Sequence, residues 1–210
     1  TYAKGGGANV AGFPYFHVKA FLAHPFSILR YFCGDITHVQ AFMGRPSFRI
    51  AAQDPMVAIN SIHVQFQSGA VGYLFSQRGD ATMGLGGWWS VEVGGSKGTF
   101  CIENCVEKCT FWPAPGTPGA KPEKLGLGQV PEPTVHDTGI KDFGATFPNR
   151  IHAFLEDLTN KVPKHKLRAS GRDALATLEY TFAAIESYEE GGVLVRPNPL
   201  PTLKHNPREQ

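Results

Sequence analysis

Residues 24–41 read HPFSILRYFCGDITHVQA, and a change of rhythm inside this stretch decides the fold. As far as Gly34 it is dense in large apolar residues; from Ile36 apolar and polar residues alternate, the pattern of a half-buried strand. Pro25 is poorly tolerated in a helix interior but suits the first turn. The spacing therefore predicts a helix from Pro25, with His24 at its N-terminal edge and Gly34 as its C-terminal stop.

Working outward, alternation predicts strands in ITHVQAFM from Ile36, SIHVQFQ from Ser61, AVGYLFSQ from Ala70 and WWSVEVGG from Trp88. GTFCIENCVEKCTFW reads as a hairpin around Glu103 and Asn104. The SGA turn before Val71 and GGSKGT at 94–99 are hairpin signals, so neighbouring strands are expected to be antiparallel. At least five or six strands in one sheet are expected, within an α+β fold. Trp112 to Gly144 is rich in proline and glycine, and a loop of that length in a compact domain is usually functional or mobile. Two helices follow. FPNRIHAFLEDLTNK places Ile151, Phe154, Leu155 and Leu158 on one face, and SGRDALATLEYTFAAIESYEEGG places Leu175, Leu178, Phe182 and Ile185 on one face. Ser170 with Asp173 three residues on predicts an N-cap, and Gly191 and Gly192 a stop.

Composition narrows the function classes. The 210 residues carry a formal charge of +2, with acids and bases interspersed. No block of like charge marks a nucleic-acid stripe, so nucleic acid is not an expected partner. No apolar run approaches the ~20 residues of a membrane span, and the first residues lack signal-peptide character. A soluble, cytoplasmic protein is the expectation. Cys101, Cys105 and Cys109 are spaced C-x3-C-x3-C, unlike the C-x2-C pairs of zinc sites; with Cys33 they read as structural thiols, and no metal site is expected.

Taken in order, GGG at 5–7, HPFSILRYFCGDITHVQA, VQFQSGAVGYLFSQRG, VEVGGSKGTFCIEN, FPNRIHAFLEDLTNK and SGRDALATLEYTFAAIESYEEG resemble the C-terminal domain of the Gfo/Idh/MocA (glucose-fructose oxidoreductase/inositol dehydrogenase) family. The resemblance covers most of the chain: residues 1–196 as the domain and 197–210 as a proline-containing tail. It implies an open, predominantly antiparallel sheet with helices on one face, the other face commonly serving in oligomer contacts. It also implies an N-terminal Rossmann domain in the complete enzyme, binding NAD or NADP, and a sugar or polyol whose hydroxyl or carbonyl exchanges hydride with that cofactor. No such unit is expected in this chain. A dinucleotide site needs a strand, a G-x-G-x-x-G turn and a helix. GGGANVAG at 5–12 precedes no readable βαβ unit, and GLGGWW at 84–89 leads into a strand. The family's Glu-Lys-Pro motif is absent, Lys121-Pro122 following Ala120. No NAD(P) is expected on this chain alone.

The family's H-x-x-D helix motif supplies a proton-transfer histidine, and His24 matches it. The match is partial: Ser27 stands in place of the aspartate, and Ala20, four residues before the histidine, replaces a frequent acid. His17 and Lys19, close to His24 in sequence, are candidate substrate contacts. So is Trp88, which with Trp89 would offer a sugar an aromatic face. Arg150, with Asp142 and His136, flanks the end of the long loop and is placed to close over a ligand. Lys97 reads as a turn residue. Two functions are expected in the alternative: the substrate-binding and oligomerisation half of an NAD(P)-dependent oxidoreductase, forming a homodimer or larger assembly through its open sheet, or a non-catalytic sugar-binding or assembly module that keeps the fold. Ala20 and Ser27 fit the second.

Overall fold

The computed structural model describes residues 14–44, 57, 59–77, 89–121, 124–168 and 170–200. The chain forms two compact units, Thr1–Gly79 with Pro163–Gln210, and Asp80–Val162. Trp88 lies outside the described residues, as do GGG at 5–7 and most of GLGGWW.

In the first unit, α1 (Phe16–Phe21) and α2 (Ala23–Cys33) are joined by Leu22, itself in right-handed helical conformation, with φ −67° and ψ −19°. The helix expected from Pro25 thus begins two residues earlier and has a helical prelude. Pro25 is still harmless there, because it lies in the first turn of α2. Gly34 ends α2 at φ 89°. The strands β1 (Ile36–Gly44), β2 (Ile59–Phe66) and β3 (Val71–Gln77) form an antiparallel sheet in that order. Alternation does here what period two requires: Asn60, Ile62, Val64 and Phe66 of β2 are buried, while His63 and Gln65 are exposed. The SGA turn closes β2 onto β3 through Gly69 at φ 87°.

The final helix, α4 (Gly171–Glu189; α3, Thr146–Thr159, is in the second unit), packs against β1 and α2. Its Ser170–Asp173 capping box is present as expected. Its buried face differs from the expected stripe. Ile185 is buried, but Leu178 and Phe182 remain 39% and 47% exposed, and the helix buries Ala176, Tyr180, Ala183, Ala184 and Ser187 instead. Small side chains let the helix approach the sheet closely. Ser187 Oγ then reaches the β1 backbone, accepting from Ala41 N at 2.9 Å and donating to the Val193 carbonyl at 2.5 Å. Beyond the Gly191–Gly192 stop, Val195 and Val39 exchange two backbone hydrogen bonds, adding a short bridge outside β1. The core between helices and sheet includes Val18, Leu22, Phe26, Val39, Ile62 and Leu74. Full burial of a side chain such as Phe26 contributes roughly 2–3 kcal/mol.

In the second unit, β4 (Val91–Gly95), β5 (Gly98–Glu103), β6 (Lys108–Pro113) and β7 (Thr134–Asp137) form an antiparallel meander. Gly98 is required at the β4–β5 turn: its φ is 143°, and a Cβ would come within 2.3 Å of the Trp112 carbonyl oxygen. The cysteine hairpin is present, turning through Asn104 and Cys105 at φ 47° and 68°. The expected single sheet is thus two sheets, of three and four strands, with no ladder joining them among the described residues. Local hairpins build each, and alternation cannot say which hairpins share a sheet. The proline-rich span is not all loop either, since its residues 134–137 pair with β6 as β7. Four residues are too few for a readable period. The last helix of this unit, α3 (Thr146–Thr159), has the expected apolar face, yet Ile151, Phe154, Leu155 and Leu158 are all exposed.

Candidate functional site

The α1–α2 pair runs antiparallel along α4, and contacts at successive levels fix it. At its start the Tyr15 ring meets Tyr188 edge-on at 6.4 Å. Burial, with the Glu189 carboxylate beside it, pushes the Tyr15 hydroxyl up to about 12. The Lys19 ammonium lies 5.5 Å from the centre of the Phe182 ring, a cation–π distance. Phe26 packs on Tyr180 with ring centres 5.9 Å apart. At its end Arg30 donates through Nε to Asp35 at 2.6 Å and through Nη1 to Asp173.

That last contact belongs to a polar cluster which sequence reasoning did not single out. The Tyr180 hydroxyl donates to Asp35 at 3.2 Å and accepts from Ile36 N at 3.3 Å. Asp173 also accepts from Ser170 N at 2.7 Å and Ser170 Oγ at 2.8 Å. Burial acts to raise the Asp173 carboxyl, but hydrogen bonds from Ser170 and Arg30 outweigh it and hold the group below the usual carboxylate range. Burial likewise acts against the Arg30 charge, and the two carboxylates more than reverse this. For Tyr180, burial pushes the hydroxyl up. The available signal was an isolated arginine in the apolar stretch 24–41, with an aspartate directly after the helix stop.

Between the Lys19 and Phe26 levels, His24 is the second residue of α2 and exposed. Ser27 is exposed one turn on, and Ala20 is exposed on α1. His17 points inward: it is 7% exposed and stacks on Phe21, ring centres 5.0 Å apart at 25°. Lys19 is exposed. The structure therefore brings His24 and Lys19 to the surface of one helix pair and packs His17 beneath it.

The remaining candidates lie in the second unit. Arg150 is exposed on α3. Asp142 accepts from Gly144 N at 2.8 Å, shaping the entry to that helix. His136 is exposed on β7, opposite Cys109. The Lys97 carbonyl accepts from Ala114 N and Thr117 Oγ1, as a turn residue would. All four cysteines are free thiols. Burial pushes Cys101 and Cys105 up, with Glu103 and Glu92 adding to the effect at Cys101, so neither is poised as a thiolate. Among the described residues no group of three or more His, Cys, Asp or Glu side chains could hold a metal ion, and no helix is long and apolar enough to cross a membrane.

Every ladder among the described residues is antiparallel, so none supplies the strand, turn and crossover helix whose amide groups meet a pyrophosphate.

No family model matches the chain, and no curated protein matches it. Solved structures do. An oxidoreductase from Agrobacterium radiobacter in complex with NAD+, L-tartaric acid and magnesium superposes with a TM-score of 0.62 at 17% identity, over 89% of this chain and 52% of its own. A putative myo-inositol dehydrogenase from Sinorhizobium meliloti 1021 gives 0.62 at 19%, over 90% and 52%. Levoglucosan dehydrogenase in complex with NADH and L-sorbose gives 0.67 at 13%, over 87% and 50%. The chain thus spans about half the length of the structures it matches. At this identity the likeness shows the fold, an α+β arrangement shared with part of several oxidoreductases.

Proposed function

We propose that this chain is the substrate-binding and oligomerisation domain of an NAD(P)-dependent oxidoreductase acting on a sugar, polyol or related hydroxyl or carbonyl compound. One observation carries the reading: His24 stands exposed in the first turn of α2, on a helix pair held along α4 from Tyr15 to Arg30. A proton-transfer group must be both accessible and fixed, and this histidine is both. In that role its imidazole takes the proton of the substrate hydroxyl, or returns it, while exposed Lys19 supplies a cation on the preceding helix. The likeness to half of several NAD-binding dehydrogenases supports the same reading. The cofactor, NAD or NADP, belongs to a separate Rossmann domain.

The outer face of the β1–β3 sheet serves association. Phe42, Tyr73 and Phe75 are 54%, 56% and 43% exposed on it, a concentration of aromatic surface typical of interfaces. The second reading, a sugar-binding module without chemistry, draws on Ala20 and Ser27 at the two positions beside His24 where the resemblance implies acids. Calorimetric titration of the chain with NADH and NADPH separates the cases when repeated with a matching dinucleotide-binding domain added. No saturable heat from the chain alone, and saturation with the added domain, is the expected result. Saturable binding to the chain alone refutes the assignment.

A further inference from the structure

The outer face of the three-stranded sheet has an imidazole at its middle. In register, β1, β2 and β3 present the rows Phe42–Ser61–Phe75 and Gln40–His63–Tyr73. His63 is therefore on the central strand and in one of the two central rows. It is exposed, and its ring lies 5.3 Å from that of Tyr73, tilted by 59°. The next row brings His38, whose Nδ1 is 3.2 Å from Thr37 Oγ1, opposite Gln65 and Val71. Among the described outward positions of these strands there is no Asp, Glu, Lys or Arg; the titratable groups are His63, His38 and Tyr73. Gln40 is tied at the edge, its Nε2 donating to the Gly192 carbonyl at 2.8 Å.

An uncharged aromatic face suits a second copy of itself, because pairing it brings no like charges together at neutral pH. In an isologous contact, residues near the two-fold axis meet their own counterparts. An axis through the middle of β2 would bring two copies of His63 close to each other. Three strands about 4.8 Å apart and eight residues at about 3.3 Å each give a face of about 400 Å². That is half of the ~800 Å² each partner contributes to a standard stable interface. An association so limited has little reserve against a charge placed at its centre.

We infer that His63 makes self-association through this face pH-dependent, neutral imidazole permitting it and imidazolium opposing it. The inference rests on the proposed role of the sheet face in association. The sign follows from linkage. In the free chain the exposed His63 ring meets water, which solvates the charged form. The associated form buries it opposite its own copy, where desolvation and like charge both disfavour the proton. Association is thus strongest with the imidazole neutral and weakens as pH falls through the range in which histidines ordinarily charge.

The test is sedimentation equilibrium of the whole chain at about pH 8 and about pH 5.5, with circular dichroism recording that the fold persists at both. The wild type is expected to associate at the higher pH and to weaken at least tenfold at the lower. His63→Gln, an uncharged change on an exposed position, is expected to associate at both; His63→Thr is the second variant. Equal association of the wild type at both pH values overturns the inference. So does an acid response that persists in His63→Gln but disappears in His38→Gln. A wild type that is monomeric at both pH values overturns the association reading itself, and the inference with it.

Discussion

The Arg30 guanidinium of α2 donates to the Asp173 carboxylate in the first turn of α4, across 143 residues of sequence. The same carboxylate closes the capping box with Ser170, so one group both starts α4 and anchors the helix that carries His24. Its folded-state pKa is depressed. The stability it contributes is therefore full above the unfolded carboxylate range, near 4, and is lost as pH falls through the lower folded value. Asp173→Asn is expected to lower stability by about 1–2 kcal/mol at neutral pH, since the pair is partly exposed. Melting temperatures of wild type and variant should converge as pH falls below about 4, the unfolded carboxylate range, and through the lower folded value. A gap that stays constant into acid would contradict the assignment.

Ser187 replaces a ladder partner for the β1 backbone. With its side chain removed, Ala41 N loses its partner at a buried position and the Val193 carbonyl loses its partner at a partly buried one. Ser187→Ala should cost about 1–3 kcal/mol in chemical denaturation. An unchanged midpoint would mean that water reaches both groups.

Gly192 has φ 87°, and a Cβ there would come within 2.6 Å of the Phe42 ring. Gly192→Ala therefore combines a left-handed backbone penalty with a steric one, about 1–3 kcal/mol together. The double variant with Phe42→Ala should recover the steric part only. Full recovery would show that backbone conformation does not matter at this position.

Asn60 is fully buried on the inner face of β2. Its amide donates to Ser76 at 2.9 Å, but its Oδ1 has no hydrogen-bond partner among the described residues. Replacing it by leucine, which has the same branching and the same number of side-chain heavy atoms, removes an unsatisfied buried acceptor. Asn60→Leu is expected to raise stability by about 1 kcal/mol. A lower melting temperature would show that the acceptor is satisfied in solution.

What was legible in the sequence was local. Gly34 between a helical and an alternating stretch, the Ser170–Asp173 pair and the SGA and GGSKGT turns each specify their structure within a few residues. What was not legible depends on tertiary contact. Helix α4 offers two faces at helical spacing, and close approach to β1 selects the one with Ala176, Ala183 and Ser187 over that with Leu178 and Phe182. The burial of His17 beside exposed Lys19 follows from how α1 lies on the core, and the Arg30 cluster needs α2, β1 and α4 to be assembled first. The place of His24 in the first turn of α2 was legible because it flanks a proline at a helix start, a position fixed by backbone chemistry.

The account stands or falls on His24. With a matching dinucleotide-binding domain supplied, reduction of NAD+ or NADP+ by a panel of polyols and sugars including myo-inositol and levoglucosan should be measured beside His24→Ala. The account predicts turnover in the wild type and a kcat lower by about 10²–10⁴-fold in the variant, with nucleotide affinity unchanged. A variant that turns over at the wild-type rate would contradict it.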